Sequence, residues 1–155
     1  MRPRAVRRFT LAGVVLSVAA ALAACEHPVA LTSAHVEAMD VILRDTTGVE
    51  LARTVDNAEW AGGALQGSVR APTAIAVSFL DIHGNEFDLG ARPDASLRVE
   101  TRPEGGATWE HFGRWGLLHP TRSGAMQLRF IVWHIDHPDL VTPWITLDSS
   151  LTDAS

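Results

Sequence analysis

The chain has 155 residues, 46% of them hydrophobic, a formal charge of −5 at pH 7 and a single cysteine, which bounds it to one domain with one hydrophobic core. Four arginines fall within the first eight residues, and beyond them nine arginines face eighteen acidic residues. That balance argues against a nucleic-acid partner and against polybasic attachment to anionic lipid.

Arg2, Arg4, Arg7 and Arg8 precede an apolar run over residues 11–24 that stops at Cys25, the pattern of an export signal. The run is shorter than the roughly 18 apolar residues of a membrane-crossing helix. Leu22-Ala23-Ala24-Cys25 resembles the lipobox of bacterial lipoproteins. The resemblance implies cleavage before Cys25, with diacylglycerol on its thiol and an acyl chain on its new amino terminus. It also implies a lipid-anchored envelope protein, and Glu26 after the cysteine leans toward the outer membrane over the inner one. An ordinary secretory signal with an incidental cysteine is the alternative. The expected organisation is a helical signal peptide over residues 1–24, a lipidated tether over 25–34, a β-sandwich domain over 35–149 and a polar tail over 150–155. With Cys25 lipidated, neither a disulfide nor a thiolate metal site remains.

The domain opens with His35, Glu37, Met39, Val41 and Leu43 on one face of an alternating run, which predicts a strand. Asp45-Thr46-Thr47-Gly48 supplies a turn, and residues 49–53 return as the second arm of a hairpin. A strand near residues 65–70 is stopped by Pro72, and Ile75, Val77 and Phe79 lie in phase in the next. The cluster Asp81-Ile82-His83-Gly84-Asn85 turns the chain. Leu97 and Val99 mark a strand ended by Pro103-Glu104-Gly105-Gly106, and short strands follow at Trp109 and at residues 114–118. Thr121-Arg122-Ser123-Gly124 leads into residues 126–133, and a final strand spans 144–148. Apolar residues nowhere recur at helical spacing beyond the signal, so the fold class predicted is an all-β antiparallel sandwich.

Phe79-Leu80-Asp81-Ile82-His83-Gly84-Asn85-Glu86 and Arg122-Ser123-Gly124-Ala125-Met126-Gln127-Leu128 are similar to the strand-and-turn segments of group-2 bacterial immunoglobulin-like domains. The resemblance spans roughly residues 64–148 and implies an immunoglobulin-like sandwich. An interaction or adhesion module on the cell envelope is one function that such a fold serves.

The run ending in Trp133-His134-Ile135-Asp136-His137-Pro138-Asp139 carries the densest polar chemistry. Strand phase puts His134 in register with Met126, Leu128, Phe130 and Val132, and His35 and Glu37 in register with Val41 and Leu43. Alternating strand directions bring His35, Glu37, His134 and His137 to one end of the sandwich as candidate ligands, with His111, Asp81, His83 and Asp136 as additional or supporting groups. Imidazole and carboxylate without thiolate suit Zn(II) or Cu(II). Asp136 and Asp139 are expected to orient a histidine or cap the turn. Hydrogen-bonded histidines at core ends, with no metal, are the bland alternative. No Gly-x-Ser-x-Gly, His-Glu-x-x-His or comparable constellation is present, so no enzymatic activity is expected. The metal's job would be capture, delivery to an envelope protein partner, or structural support.

Overall fold

The computed structural model describes residues 35–151. The signal peptide at 1–24, the tether at 25–34 with Cys25, and residues 152–155 of the tail lie outside the described residues. The described chain is all-β, with twelve strands and one 3-10 turn over Leu89–Ala91. Asp88 caps that turn by accepting from the Gly90 N–H at 2.7 Å, which satisfies a donor that the turn leaves free.

The strands are β1 (Asp40–Arg44), β2 (Glu50–Val55), β3 (Glu59–Gly62), β4 (Leu65–Ser68), β5 (Thr73–Leu80), β6 (Glu86–Phe87), β7 (Ala95–Arg102), β8 (Ala107–Phe112), β9 (Trp115–Pro120), β10 (Gly124–His134), β11 (His137–Val141) and β12 (Ile145–Ser150). One sheet runs β3-β2-β1-β5-β9-β8, with β6 beside β5. The second is built on β10, whose one edge pairs with β7, while β12 and then β11 share the other; β4 completes it in parallel with β12. A strand of eleven residues is long enough to carry two partners end to end on one edge.

The two sheets pack through their alternating inner faces. Val41 and Leu43 of β1, Ile75, Val77 and Phe79 of β5, and Met126, Leu128, Phe130 and Val132 of β10 join Ile145 and Leu147 of β12 in one buried cluster. This is the period-2 burial that a sheet face requires, and the two-layer architecture follows from burying one face of each sheet. Gly116 shows how tight the packing is. A Cβ there would lie 1.9 Å from the indole of Trp109 across the β8–β9 pair, and Trp109 in turn meets Phe130 edge to face at 5.6 Å.

Three short strands were not expected from the sequence. β3 buries little, so no hydrophobic alternation announces it. β6 is two residues long. β11 contains Pro138, which a central strand would not tolerate but which suits its place at the end of the sheet.

Candidate metal centre

His134 is the last residue of β10 and continues the inward phase of Leu128, Phe130 and Val132, so its ring is buried at 1% exposure. The chain then reverses over Ile135 and Asp136, and His134 pairs directly with His137. Ile135 takes φ +50°. A β-branched side chain rarely adopts this left-handed conformation, and the position is one where a two-residue hairpin normally has glycine or asparagine. The turn is held by the Ile135 N–H donating to the Asp94 carbonyl at 3.1 Å. Local strain of this kind persists where surrounding structure enforces it, and it concentrates at functional sites.

A bulge completes the hairpin. Val132 pairs with Leu140, but Trp133 pairs with Pro138, so Asp139 is the extra residue on β11. Simple alternation from buried Leu140 would turn Asp139 outward; an inserted residue re-aims its side chain. The Asp139 side chain is 3% exposed and lies against His134, its Oδ2 3.3 Å from His134 Nδ1. Three polar side chains from six consecutive residues thus face one point.

His35 arrives from far along the chain. Residues 35–39 form no strand. Val36 and Ala38 are buried there, while Glu37 is exposed and Met39 is 45% exposed. The predicted inward phase of His35, Glu37 and Met39 is therefore corrected: the residues that join the core cluster are Val36 and Ala38 before the strand and Val41 and Leu43 within it. A local bond from the Ala38 N–H to the Val36 carbonyl at 2.8 Å marks the irregularity that shifts the phase. The Val36 N–H donates to Asp139 Oδ2 at 2.6 Å, which seats His35 over the hairpin.

The resulting cluster is His35, His134, His137 and Asp139, whose ligand atoms all lie within 4.8 Å of one another. It is a His/Asp group that can hold a metal ion. His137 Nε2 is 3.2 Å from His35 Nδ1 and 2.9 Å from Asp139 Oδ1, and His35 Nδ1 is 3.0 Å from the same oxygen. Two ligands about 2.05 Å from one ion are about 2.9 Å apart at a right angle and about 3.3 Å apart at the tetrahedral angle. These three contacts fall in that window, whereas the 4.8 Å spread of the four ligand atoms exceeds the about 4.1 Å that two such ligands can span, so the widest pair must close in around an ion.

Hydrogen bonds on the far sides of the rings set which nitrogens face inward. Asp94 Oδ2 lies 3.0 Å from His134 Nε2, and Asp136 Oδ1 lies 2.8 Å from His137 Nδ1. With those carboxylates accepting the ring N–H, the neutral tautomers carry their lone pairs on His134 Nδ1 and His137 Nε2, as metal-binding histidines do. His134 Nδ1 is buried and makes no hydrogen bond. A bare imidazole nitrogen facing a carboxylate oxygen is unfavourable until a cation lies between them.

Charge reinforces this arrangement. Burial pushes the Asp139 carboxyl up, but hydrogen bonds from His35 and Val36 together with neighbouring histidine charge hold it below the ordinary carboxylate value. The hydrogen bond to Asp136, with Asp139 nearby, raises His137 above the ordinary imidazole value. Asp136 is lowered chiefly by the bond from His137, and Asp94 chiefly by the bond from Arg92, with His134 contributing. All three carboxylates are therefore ionised around the cluster at neutral pH.

His35, His134 and His137 are brought together; Glu37 is not among the four clustered residues, and Asp139 is. Asp136 sits behind His137 as an orienting carboxylate. Asp81 is engaged by its own turn, accepting from the His83 and Asn85 N–H groups and from the Asn85 side chain. His83 is exposed in that turn. His111 stacks on Trp109 at 6.4 Å, and burial lowers its pKa. Asp94 was missed by the sequence reading. It lies in Arg92-Pro93-Asp94, just before β7, whose register sets Ala95 opposite His134, and nothing in its local sequence marks it. No protein-family model, curated protein or solved structure matches this chain.

Proposed function

We propose that this chain is a lipid-anchored protein of the bacterial envelope, its immunoglobulin-like sandwich holding one divalent transition metal, Zn(II) or Cu(II), through His35, His134, His137 and Asp139. The observation that carries this reading is the buried His134 Nδ1, which makes no hydrogen bond and faces Asp139 Oδ2 at 3.3 Å within the four-residue cluster, with Asp94 and Asp136 fixing the tautomers from behind. Nitrogen-rich ligands without sulfur favour these ions over hard cations such as Mg(II) and Ca(II), which take oxygen. The lipobox-like Leu22-Ala23-Ala24-Cys25 supports the anchor, and Glu26 after the cysteine favours the outer membrane over the inner one. The role is metal capture or delivery to a partner in the envelope, or support of the fold by the ion.

Metal analysis of the purified full-length protein tests this. About one equivalent of Zn or Cu per chain is expected, falling to background in a His134→Ala/His137→Ala variant. Equal, negligible metal in both would instead favour an interaction module free of metal. That second reading has its own support on the outer face of the second sheet, where Arg98 lies 4.1 Å over Trp133 and Arg102 4.1 Å over Trp144. Arginine and tryptophan are enriched at binding hot spots.

A further inference from the structure

The four ligands do not reach the site in the same way. His134, His137 and Asp139 belong to one hairpin, fixed by the β10–β11 register and its bulge. The hairpin histidines also have their outer nitrogens tied by Asp94 and Asp136. His35 comes from 104 residues away in sequence, on a stretch without strand structure. Among the described residues no side chain orients its outer nitrogen. Its side chain is 73% exposed, against 42% for His137, 3% for Asp139 and 2% for His134.

Residues 35–39 also lead into β1 of the first sheet, whereas the hairpin belongs to the second. The stretch has no ladder of its own: the Val36 N–H bonds Asp139 Oδ2, the Ala38 N–H the Val36 carbonyl and the Met39 N–H the Leu80 carbonyl at 2.8 Å, while Val36 and Ala38 are buried in the core. An ion shared by His35 and the hairpin would therefore fasten the start of the domain to the opposite sheet. It would do so at the side of the site most open to solvent.

We propose that the hairpin is a preformed three-ligand seat for the metal and that His35 is a latch, closing over the bound ion to fasten residues 35–39 and opening to let the ion exchange. The proposal rests on the metal-binding reading above. A rigid, oriented ligand set binds without reorganisation, whereas an exposed side chain whose outer nitrogen nothing orients must be ordered as it binds and so contributes less affinity. Ion release then begins at His35, leaving the metal on three ligands with a position free for an incoming donor, which is the arrangement that transfer to a partner needs. Rotation of the exposed His35 side chain off the ion, with Val36 and Ala38 staying in the core, is the motion that such exchange would use.

The test compares full-length wild type, His35→Ala and His134→Ala, using Zn(II) as the probe. Three readouts are needed: affinity by chelator competition, the rate of Zn(II) release to excess chelator, and hydrogen exchange across residues 36–39 with and without Zn(II). His35 is exposed, so its variant is expected to fold. In His35→Ala one Zn(II) should still bind, about 10–100-fold more weakly, a loss no larger than removing a group one layer out from a metal causes, with release faster by a similar factor. Zn(II) should slow exchange across residues 36–39 in wild type and leave it unchanged in His35→Ala. If His35→Ala bound and released Zn(II) as wild type does, or lost it as completely as His134→Ala, the latch would be overturned while the metal site stood. Wild type that takes up neither Zn(II) nor, in a parallel titration, Cu(II) would overturn the metal reading itself, and the latch with it.

Discussion

Replacing His134 by alanine is expected to lower Zn(II) or Cu(II) affinity by more than about 100-fold, because changes one layer out from a metal already cost about 10–100-fold. His134 is the only cluster histidine that is fully buried, at 1% exposure. Its position is fixed twice, by the inward phase of β10 and by Asp94 at Nε2. Asp94→Asn provides the graded comparison. It keeps the shape but weakens the acceptor that holds the tautomer, so its loss should fall within about 10–100-fold. Chelator-competition titration of the two variants measures both effects, and equal affinity in wild type and His134→Ala would remove His134 from the site.

Asp139→Ala should be the most destabilising single change in the cluster, by about 2–3 kcal/mol in the metal-free protein, the size expected for deleting a charged acceptor from buried donors. The Val36 N–H would lose its 2.6 Å partner, and His35 and His137 would lose the oxygen they share. The pH dependence separates this from a packing defect. Asp139 titrates below its ordinary value of about 3.9, so its contribution is present above that value and is lost as pH falls through the lowered one. His137 titrates above its ordinary value of about 6.5, so its contribution is present below that value and is lost as pH rises through the raised one. Metal-free wild type should be most stable between these limits, and Asp139→Ala should flatten the acid limb in urea melts run from pH 3 to pH 8. Added Zn(II) should stabilise wild type most on the alkaline side, where the imidazoles have shed the protons that compete with the ion.

The strand phases that define the core were readable because period-2 alternation is strong in β5 and β10. Ile75, Val77 and Phe79, and Leu128, Phe130 and Val132, are all buried as the alternation requires. The hairpin of β1 and β2 was readable from its Asp-Thr-Thr-Gly turn, where Asp45 accepts from the Thr47 and Val49 N–H groups. The site was harder, since its composition depends on departures from regularity. A shift in phase between residues 38 and 41 turned Glu37 outward, and a bulge turned Asp139 inward. Neither has a sequence signature of its own. Ile135 stands at a turn position that glycine or asparagine would ordinarily mark, and Pro138, a residue depleted in strands, lies in what is an end strand, so the hairpin carries no turn or strand signal of its own. Asp94 is joined to His134 only through the β7–β10 register, a long-range pairing that a local pattern cannot contain.

X-ray absorption at the metal edge of the Zn-loaded protein tests the account most directly. It should show only nitrogen and oxygen neighbours at about 2.0–2.1 Å with the outer-shell scattering of imidazole rings, and His134→Ala should lose the signal of the bound ion. A protein that retains no zinc, or a bound ion whose spectrum lacks imidazole, would contradict it.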